Sequence, residues 1–283
     1  MISSSVSKSV PRSYTSSTVS VTGVTVDSAS VRSSGGLDAT ANTPRLIFNR
    51  ATDGNFVANL GVVSVTGGAA GTISTAGLQV ASGPAVASAT GAVFFISGST
   101  LYAMLGPWGS TPVAIYSGIP ASSATQGQLS TNSLGTVVGN FDYGDQWYPL
   151  TYTSLGVGTT VLTQLKKAAA GIQSSTAITN TGNILMTRCN IGGGSQPTLY
   201  TATTATAVAS GSYRGIGMAI NVNGSPLVMN TSDVYSLSTG GDTTLVSGLV
   251  SPLCFGVNPV GGAIYVLEYN GGTNRITSLT PNF

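Results

Sequence analysis

Acid–base chemistry in this chain rests on eight carboxylates, Asp27, Asp38, Asp53, Asp142, Asp145, Asp233, Asp242 and Glu268, because the sequence contains no histidine. That absence removes Ser-His-Asp triads, imidazole acid–base work and most zinc sites. A glycosidase needs two carboxylates facing each other across a pocket. Only Asp142 and Asp145, in FDYGDQWY, are close in sequence, and aspartate beside Gly144 is ordinary turn chemistry. No catalytic residue is assigned. The glycine runs IGGGSQ at 191–196 and GIGMA at 215–219 precede no long helix, and no GK[ST] exists, so a phosphate cradle is not supported. Both runs are expected as hairpin turns. Cys189 and Cys254 belong to no CxxC pair or ligand cluster and are expected as buried free thiols. Neither a metal nor a cofactor is expected.

The densest chemical feature is aromatic. FDYGDQWYPLTY at 141–152 holds Phe141, Tyr143, Trp147, Tyr148 and Tyr152, with Asp142 and Asp145 between them. Aromatic rings bury much area at low entropic cost, and with carboxylates nearby they suit sugar- or protein-binding surfaces. A hydrophobic plug between structural units is the plainer reading. Trp108, in MLGPWGS, lies one unit earlier at a similar phase, so both turns are expected on one rim. Together these eight residues form the candidate contact surface.

Elements that hold such turns repeat along the chain. A glycine followed by an apolar strand recurs as GAVFFIS, GTVVGNF, GNILMTR, GSPLVMN and GGAIYVLEY, anchored at Gly91, Gly135, Gly182, Gly224 and Gly262. Spacings of 44, 47, 42 and 38 residues separate the anchors. A small-residue segment precedes each glycine (PAVASAT, GQLSTNSL, STAITNT, GIGMAINVN, PLCFGVNPVG), and a second strand follows (STLYAML, QWYPLTY, PTLYTAT, SDVYSLS, NRITSLT). The first four units add a third apolar segment, as in TTLVSGLV. Four short strands per period of this length point to an all-β fold, a β-propeller. The last unit lacks its final strand, which such rings often take from the other terminus. Residues 46–84 hold a further set of strand-like runs, so six blades are favoured, with five as the alternative. A trimeric β-helix or β-prism fibre fits less well, since its repeats are usually shorter.

Units of the form LYxL…ttLvsGl..P…G.iyV resemble the NHL and SMP-30-like propeller repeats over residues 83–283, and weakly over 46–82. The SMP-30-like enzymes hold a metal with acidic and amide side chains in the central channel. No matching ligand set is found here, so the resemblance implies a fold and carries no site across.

Charge is scarce. Lys, Arg, Asp and Glu make up 6% of 283 residues, net charge is +2, and Gly, Ser and Thr number 38, 38 and 37. A net charge this small does not make a nucleic-acid surface. With 41% apolar residues the chain is not disordered, and its solvent face must use hydroxyls instead of charges. Residues 1–44 read as an extended N-terminal arm before a propeller domain at 45–283. Residues 1–50 carry five bases and two acids, and VSVTGVTV at 19–26 has the alternation of an added strand. MISSSVSKSVPRSYTSS lacks the apolar core of a signal peptide, and no run approaches a membrane span. The combined expectation is a non-enzymatic structural component of a virus particle, a bacteriophage tail or capsid-associated protein. It would be made in the host cytoplasm and assembled through its arm with other virion subunits. A carbohydrate-binding, host-recognition propeller is the alternative, and a propeller lactonase or lyase a third.

Overall fold

The computed structural model describes residues 10–25, 35–51, 58–104, 110–117, 128–133, 135–141, 146–151, 160–161, 174–190, 193–194, 198–200, 205–208, 217–238 and 240–283. Among these residues the regular elements are strands, and they pair into six sheets, each built on four antiparallel strands. The first is Gly35–Asp38, Arg45–Ala51, Ala58–Ser64 and Gly71–Ile73. The second runs Ser82–Ala87, Ala92–Ser97, Thr100–Met104 and Val113–Ser117. The third is Gln128–Thr131, Thr136–Phe141, Gln146–Thr151 and Thr160–Val161. The fourth is Ser174–Ile178, Ile184–Asn190, Thr198–Tyr200 and Ala205–Ala207, and the fifth Gly217–Ile220, Pro226–Met229, Val234–Ser236 and Thr243–Val246. In each of these five sheets the first strand in sequence is innermost, and Pro252–Val257 takes that place in the sixth. Inner strands neighbour one another in turn, and the last touches the first, which closes the ring of a β-propeller.

The sixth sheet is completed across the whole length of the chain. Pro252–Val257, Ile264–Glu268 and Asn274–Asn282 are joined by Ser13–Thr22 as the outer strand. Nine residue pairs register it, from Ser13 opposite Asn282 to Val21 opposite Asn274. The missing last strand is thus supplied by the other terminus, as the repeat pattern predicted. The arm at 1–44 is corrected accordingly. Its alternating stretch closes the chain's own last blade, and Gly35–Asp38 is the inner strand of the first blade. The boundary at 44/45 therefore falls inside the ring. Residues 1–9 and 26–34 lie outside the described residues.

Side-chain alternation builds the core between blades instead of within them. Successive residues of a strand face opposite sides. In Ala92–Ser97, Phe94 packs toward the third blade with Val137, while Phe95 packs toward the first with Ile47 and Leu60. Val137, Ile47, Leu60 and the two phenylalanines are essentially inaccessible to water, so the strand reads as a continuous apolar run. In Ile264–Glu268, Val266 faces the fifth blade and Leu267 the first.

The five anchor glycines occupy equivalent turns between the inner and second strands. Their φ values are +71° (Gly91), +95° (Gly135), +84° (Gly182), +85° (Gly224) and +76° (Gly262), a region side-chain-bearing residues rarely adopt. Each donates its N–H back into the turn, as Gly224 does to the Asn221 carbonyl at 2.9 Å. This geometry is why glycine marks the beat in the sequence. Of the two glycine runs, Gly193–Gly194 pairs with Cys189 and Asn190 as a hairpin. GIGMA differs from expectation. Its Gly217–Ile220 portion is the inner strand of the fifth blade, where residues near the axis must be small.

Candidate functional site

Turning the inner strands around one axis leaves a cavity of about 550 Å³ between them, reached by the inner strands of all six blades. Its wall is made of aliphatic residues such as Val86, Leu129 and Ile178 and of hydroxyls and amides. The polar groups cluster where inner strands turn outward, and they link neighbouring blades. Asn132 Nδ2 donates to the Thr179 carbonyl at 3.1 Å, and the Ser133 hydroxyl donates to Asn180 Oδ1 at 3.1 Å. The Ser130 and Thr176 hydroxyls meet at 2.8 Å. Asn221 Oδ1 accepts the Val222 N–H at 2.8 Å, and its Nδ2 donates to the Tyr14 hydroxyl at 2.9 Å. Tyr14 lies on the closing strand, so this bond ties the N-terminal segment to the fifth blade. Burial pushes the Tyr14 phenol up, an effect its bond to Asn221 partly offsets.

The carboxylates are elsewhere. Four of the eight are described. Asp38 is fully buried in the first blade, where Oδ1 accepts the Thr40 N–H at 3.0 Å and the Thr40 hydroxyl at 2.6 Å, and Oδ2 accepts Arg45 Nη2 at 3.0 Å. Glu268, 1% exposed, accepts from Arg275 at 3.0 and 2.9 Å, from the Val250 N–H at 2.7 Å, and from the Thr277 hydroxyl. Asp233 holds Ser232 and Tyr235, and Asp242 accepts the Ser238 N–H. None of these four lines the cavity. Asp27, Asp53, Asp142 and Asp145 lie outside the described residues.

A divalent cation held by acidic and amide side chains, the group that the lactonase resemblance implies, does not fit the described lining. Hard cations want carboxylate oxygens, and the wall brings the amides of Asn132, Asn180 and Asn221 without one. Moreover, Asn180 and Asn221 already spend their side-chain oxygens on Ser133 and Val222.

Cys254 also touches the cavity and is 1% exposed. It is a free thiol, as expected, and burial pushes its pKa from 9.0 up to about 12. In the unfolded chain the thiol ionises near its ordinary value, so between about pH 9 and pH 12 the native state binds more protons. Stability from this group is whole below about pH 9 and declines by roughly 1.4 kcal/mol per pH unit through that window. Urea titrations from pH 8 to pH 11 are expected to show this decline in the native sequence and a shallower one in Cys254→Ala. Tyr14, Tyr235 and Tyr265, whose pKa values are also raised, contribute equally to both chains. Parallel slopes would refute the assignment.

Of the candidate contact surface, Trp108, Asp142, Tyr143, Asp145 and Tyr152 lie outside the described residues. Phe141, Trp147 and Tyr148 are placed by their backbones. Phe141 pairs with Gln146 at the end of a hairpin, Asn140 with Trp147, and Gly139 with Tyr148. The expected sharing of one rim by the two aromatic turns falls on residues 105–109 and 142–145, which lie outside the described residues. Sequence reasoning missed the axial amides and hydroxyls, because Asn132, Thr179 and Asn221 read only as turn residues. Among the described residues no helix is long and apolar enough to cross a membrane.

No protein-family model matches the sequence, and no curated protein matches it. Similarity is found among solved structures. A putative gluconolactonase aligns over 96% of this chain and 93% of its own, with TM-score 0.60 and 12% identity. Virginiamycin B lyase from Staphylococcus aureus aligns over 94% and 99%, with TM-score 0.54 and 9% identity. A chain of a nidogen–laminin complex aligns over 83% and 85%, with TM-score 0.55 and 13% identity. At such identities the likeness is one of fold, and it supports the propeller repeat resemblance.

Proposed function

We propose that the protein is a non-enzymatic contact module, a propeller that holds partners on its rims and transforms no substrate. The observation that supports this reading is the neutrality of the described axial wall. Its one titratable group, the Cys254 thiol, stays protonated far above neutral pH, and the two deeply buried carboxylates are tied to arginines inside the sheets. General acid–base work needs a group that changes protonation near the operating pH.

The setting is a virus particle, as a tail or capsid-associated component among other virion subunits. Composition supports it: 6% charged residues and a hydroxyl-rich chain suit a surface that is mostly covered by neighbours. Because Ser13–Thr22 closes the chain's own ring, contacts with other subunits fall to the rims. Purified protein incubated with gluconolactone or a streptogramin B is expected to show background rates only. Turnover that co-purifies with the folded chain would overturn the non-enzymatic reading. Peptide mass spectrometry of purified particles is expected to find the chain at a fixed stoichiometry, and its absence from them would overturn the virion reading.

A further inference from the structure

We infer that Asn270 is a site of spontaneous covalent modification, at which the backbone nitrogen of Gly271 displaces the side-chain amide and a carboxylate is left on the last blade. Such attack meets least obstruction where glycine follows asparagine, because glycine carries no Cβ. The pair occurs twice in the chain, as Asn223-Gly224 and Asn270-Gly271. The sequence alone does not separate the two, and their surroundings do.

Asn223-Gly224 is locked. The Gly224 N–H donates to the Asn221 carbonyl at 2.9 Å, and Asn223 Oδ1 accepts the Ser225 N–H at 3.0 Å. The attacking nitrogen and the carboxamide it must reach are both held, in a turn that is itself half-buried at Asn223. Asn270-Gly271 is open. It lies in the turn between Ile264–Glu268 and Asn274–Asn282, which the Thr273 N–H closes on the Asn270 carbonyl at 3.0 Å. Gly271 and Gly272 have φ of +53° and +130°, the left-handed backbone of a tight hairpin. Residues 270 to 273 are all exposed. Among the described residues neither the Gly271 N–H nor the Asn270 carboxamide has a hydrogen-bond partner, and a Cβ on Gly271 would meet nothing within 4 Å. Nothing therefore opposes rotation of the carboxamide onto the nitrogen.

The reaction needs only water and base. The Gly271 nitrogen gives its proton to hydroxide and bonds to Asn270 Cγ. The Cγ–Nδ2 bond breaks, and ammonia leaves with a proton returned from water, so that a five-membered imide closes. Water then adds to one of the two imide carbonyls. Opening at Cγ gives aspartate, and opening at the backbone carbonyl gives isoaspartate, whose chain runs on through the side chain. No electrons are gained or lost, and the sum is asparagine plus water to the acid plus ammonia. Ten bases then face nine acids instead of eight, and the formal net charge falls from +2 to +1. The new charge stands on the rim opposite the anchor glycines, because this turn joins second and third strands whereas Gly262 lies between first and second.

The test incubates the purified protein at mildly alkaline pH and follows it by peptide mapping and ion-exchange chromatography. In the native protein Asn270 is expected to convert roughly tenfold or more faster than Asn223, because two hydrogen bonds must break at Asn223 before attack. In urea, with both turns lost, the two are expected to convert at comparable rates. Fragmentation of the 270 peptide is expected to show isoaspartate beside aspartate, since direct hydrolysis of the amide gives aspartate alone. Gly271→Ala is expected to slow the change by about tenfold, through the Cβ it sets beside the nucleophile, and Asn270→Ser to abolish the acidic form on the column. Should Gly271→Ala fail to fold, the native and urea rates of the unaltered sequence decide the matter. Equal native rates at the two asparagines, aspartate without isoaspartate, or an Asn270 that stays intact while the unfolded chain converts would each overturn the inference.

Discussion

A chain lacking residues 1–22 is expected to show no cooperative unfolding transition, and a synthetic peptide of residues 10–25 added to it is expected to restore one. Deletion removes nine registered residue pairs and turns Asn274–Asn282 into an open edge. It also strips Val21, 2% exposed, and Val19 from the cluster that joins the last blade to the first through Leu37, Phe48 and Ile276. Each buried aliphatic side chain contributes roughly 1.5–3 kcal/mol. Native stability is typically only about 5–15 kcal/mol, so loss of a whole strand at the seam of the ring consumes most of it. Calorimetry and circular dichroism read the result. A shortened chain that melts within a few degrees of the full one would show that the ring does not depend on its closing strand.

Replacing Glu268 by alanine is expected to cost about 3 kcal/mol, measured as a shift of the urea midpoint. The carboxylate is held by Nε and Nη2 along one edge of the Arg275 guanidinium, by the Thr277 hydroxyl and by the Val250 N–H. Breaking a buried ion pair by removing one partner costs about 3–5 kcal/mol. The lower end applies because the Arg275 side chain is 40% exposed and water takes up part of the loss. The hydrogen bonds that Arg275 donates to Glu268 raise the Arg275 pKa, so its positive charge is not at risk at any physiological pH. Glu268→Gln preserves shape and one acceptor and is expected to fall between the two. An alanine variant as stable as the native chain would mean that solvent replaces all four contacts.

Legibility followed from how strictly each element constrains its residues. The blades were readable because left-handed turns demand glycine at Gly91, Gly135, Gly182, Gly224 and Gly262, and because second strands covered on both faces must be apolar throughout. The first blade's inner strand was not readable. Gly35–Asp38 is GGLD, which looks like a flexible tail. Yet a Cβ on Gly35 would stand 2.5 Å from the Ile47 carbonyl oxygen and 2.7 Å from Cys254 Cβ, so only glycine lets the first blade approach the last. Gly256 is confined in the same way, 2.4 Å from Leu37 Cβ. Close approach of two distant segments leaves no local trace. The same holds for the axial site. Asn132, Thr176 and Asn221 come from three blades, and turn-type residues in a row do not reveal which of them point at a common axis.

The seam also sets an order of events during biosynthesis. Ser13–Thr22 leaves the ribosome before its partner Asn274–Asn282, with the other five blades made in between. At about 5–20 residues per second, translation separates them by some tens of seconds. Throughout that interval the early strand has no mate, and a greasy one would invite wrong pairings with nascent neighbours. Its sequence, SYTSSTVSVT, is mostly hydroxyl-bearing, with valines only at 19 and 21, the stretch that later reaches the core. The waiting strand is therefore built to stay soluble until its partner arrives, and the clasp fastens only after the other five blades have been made.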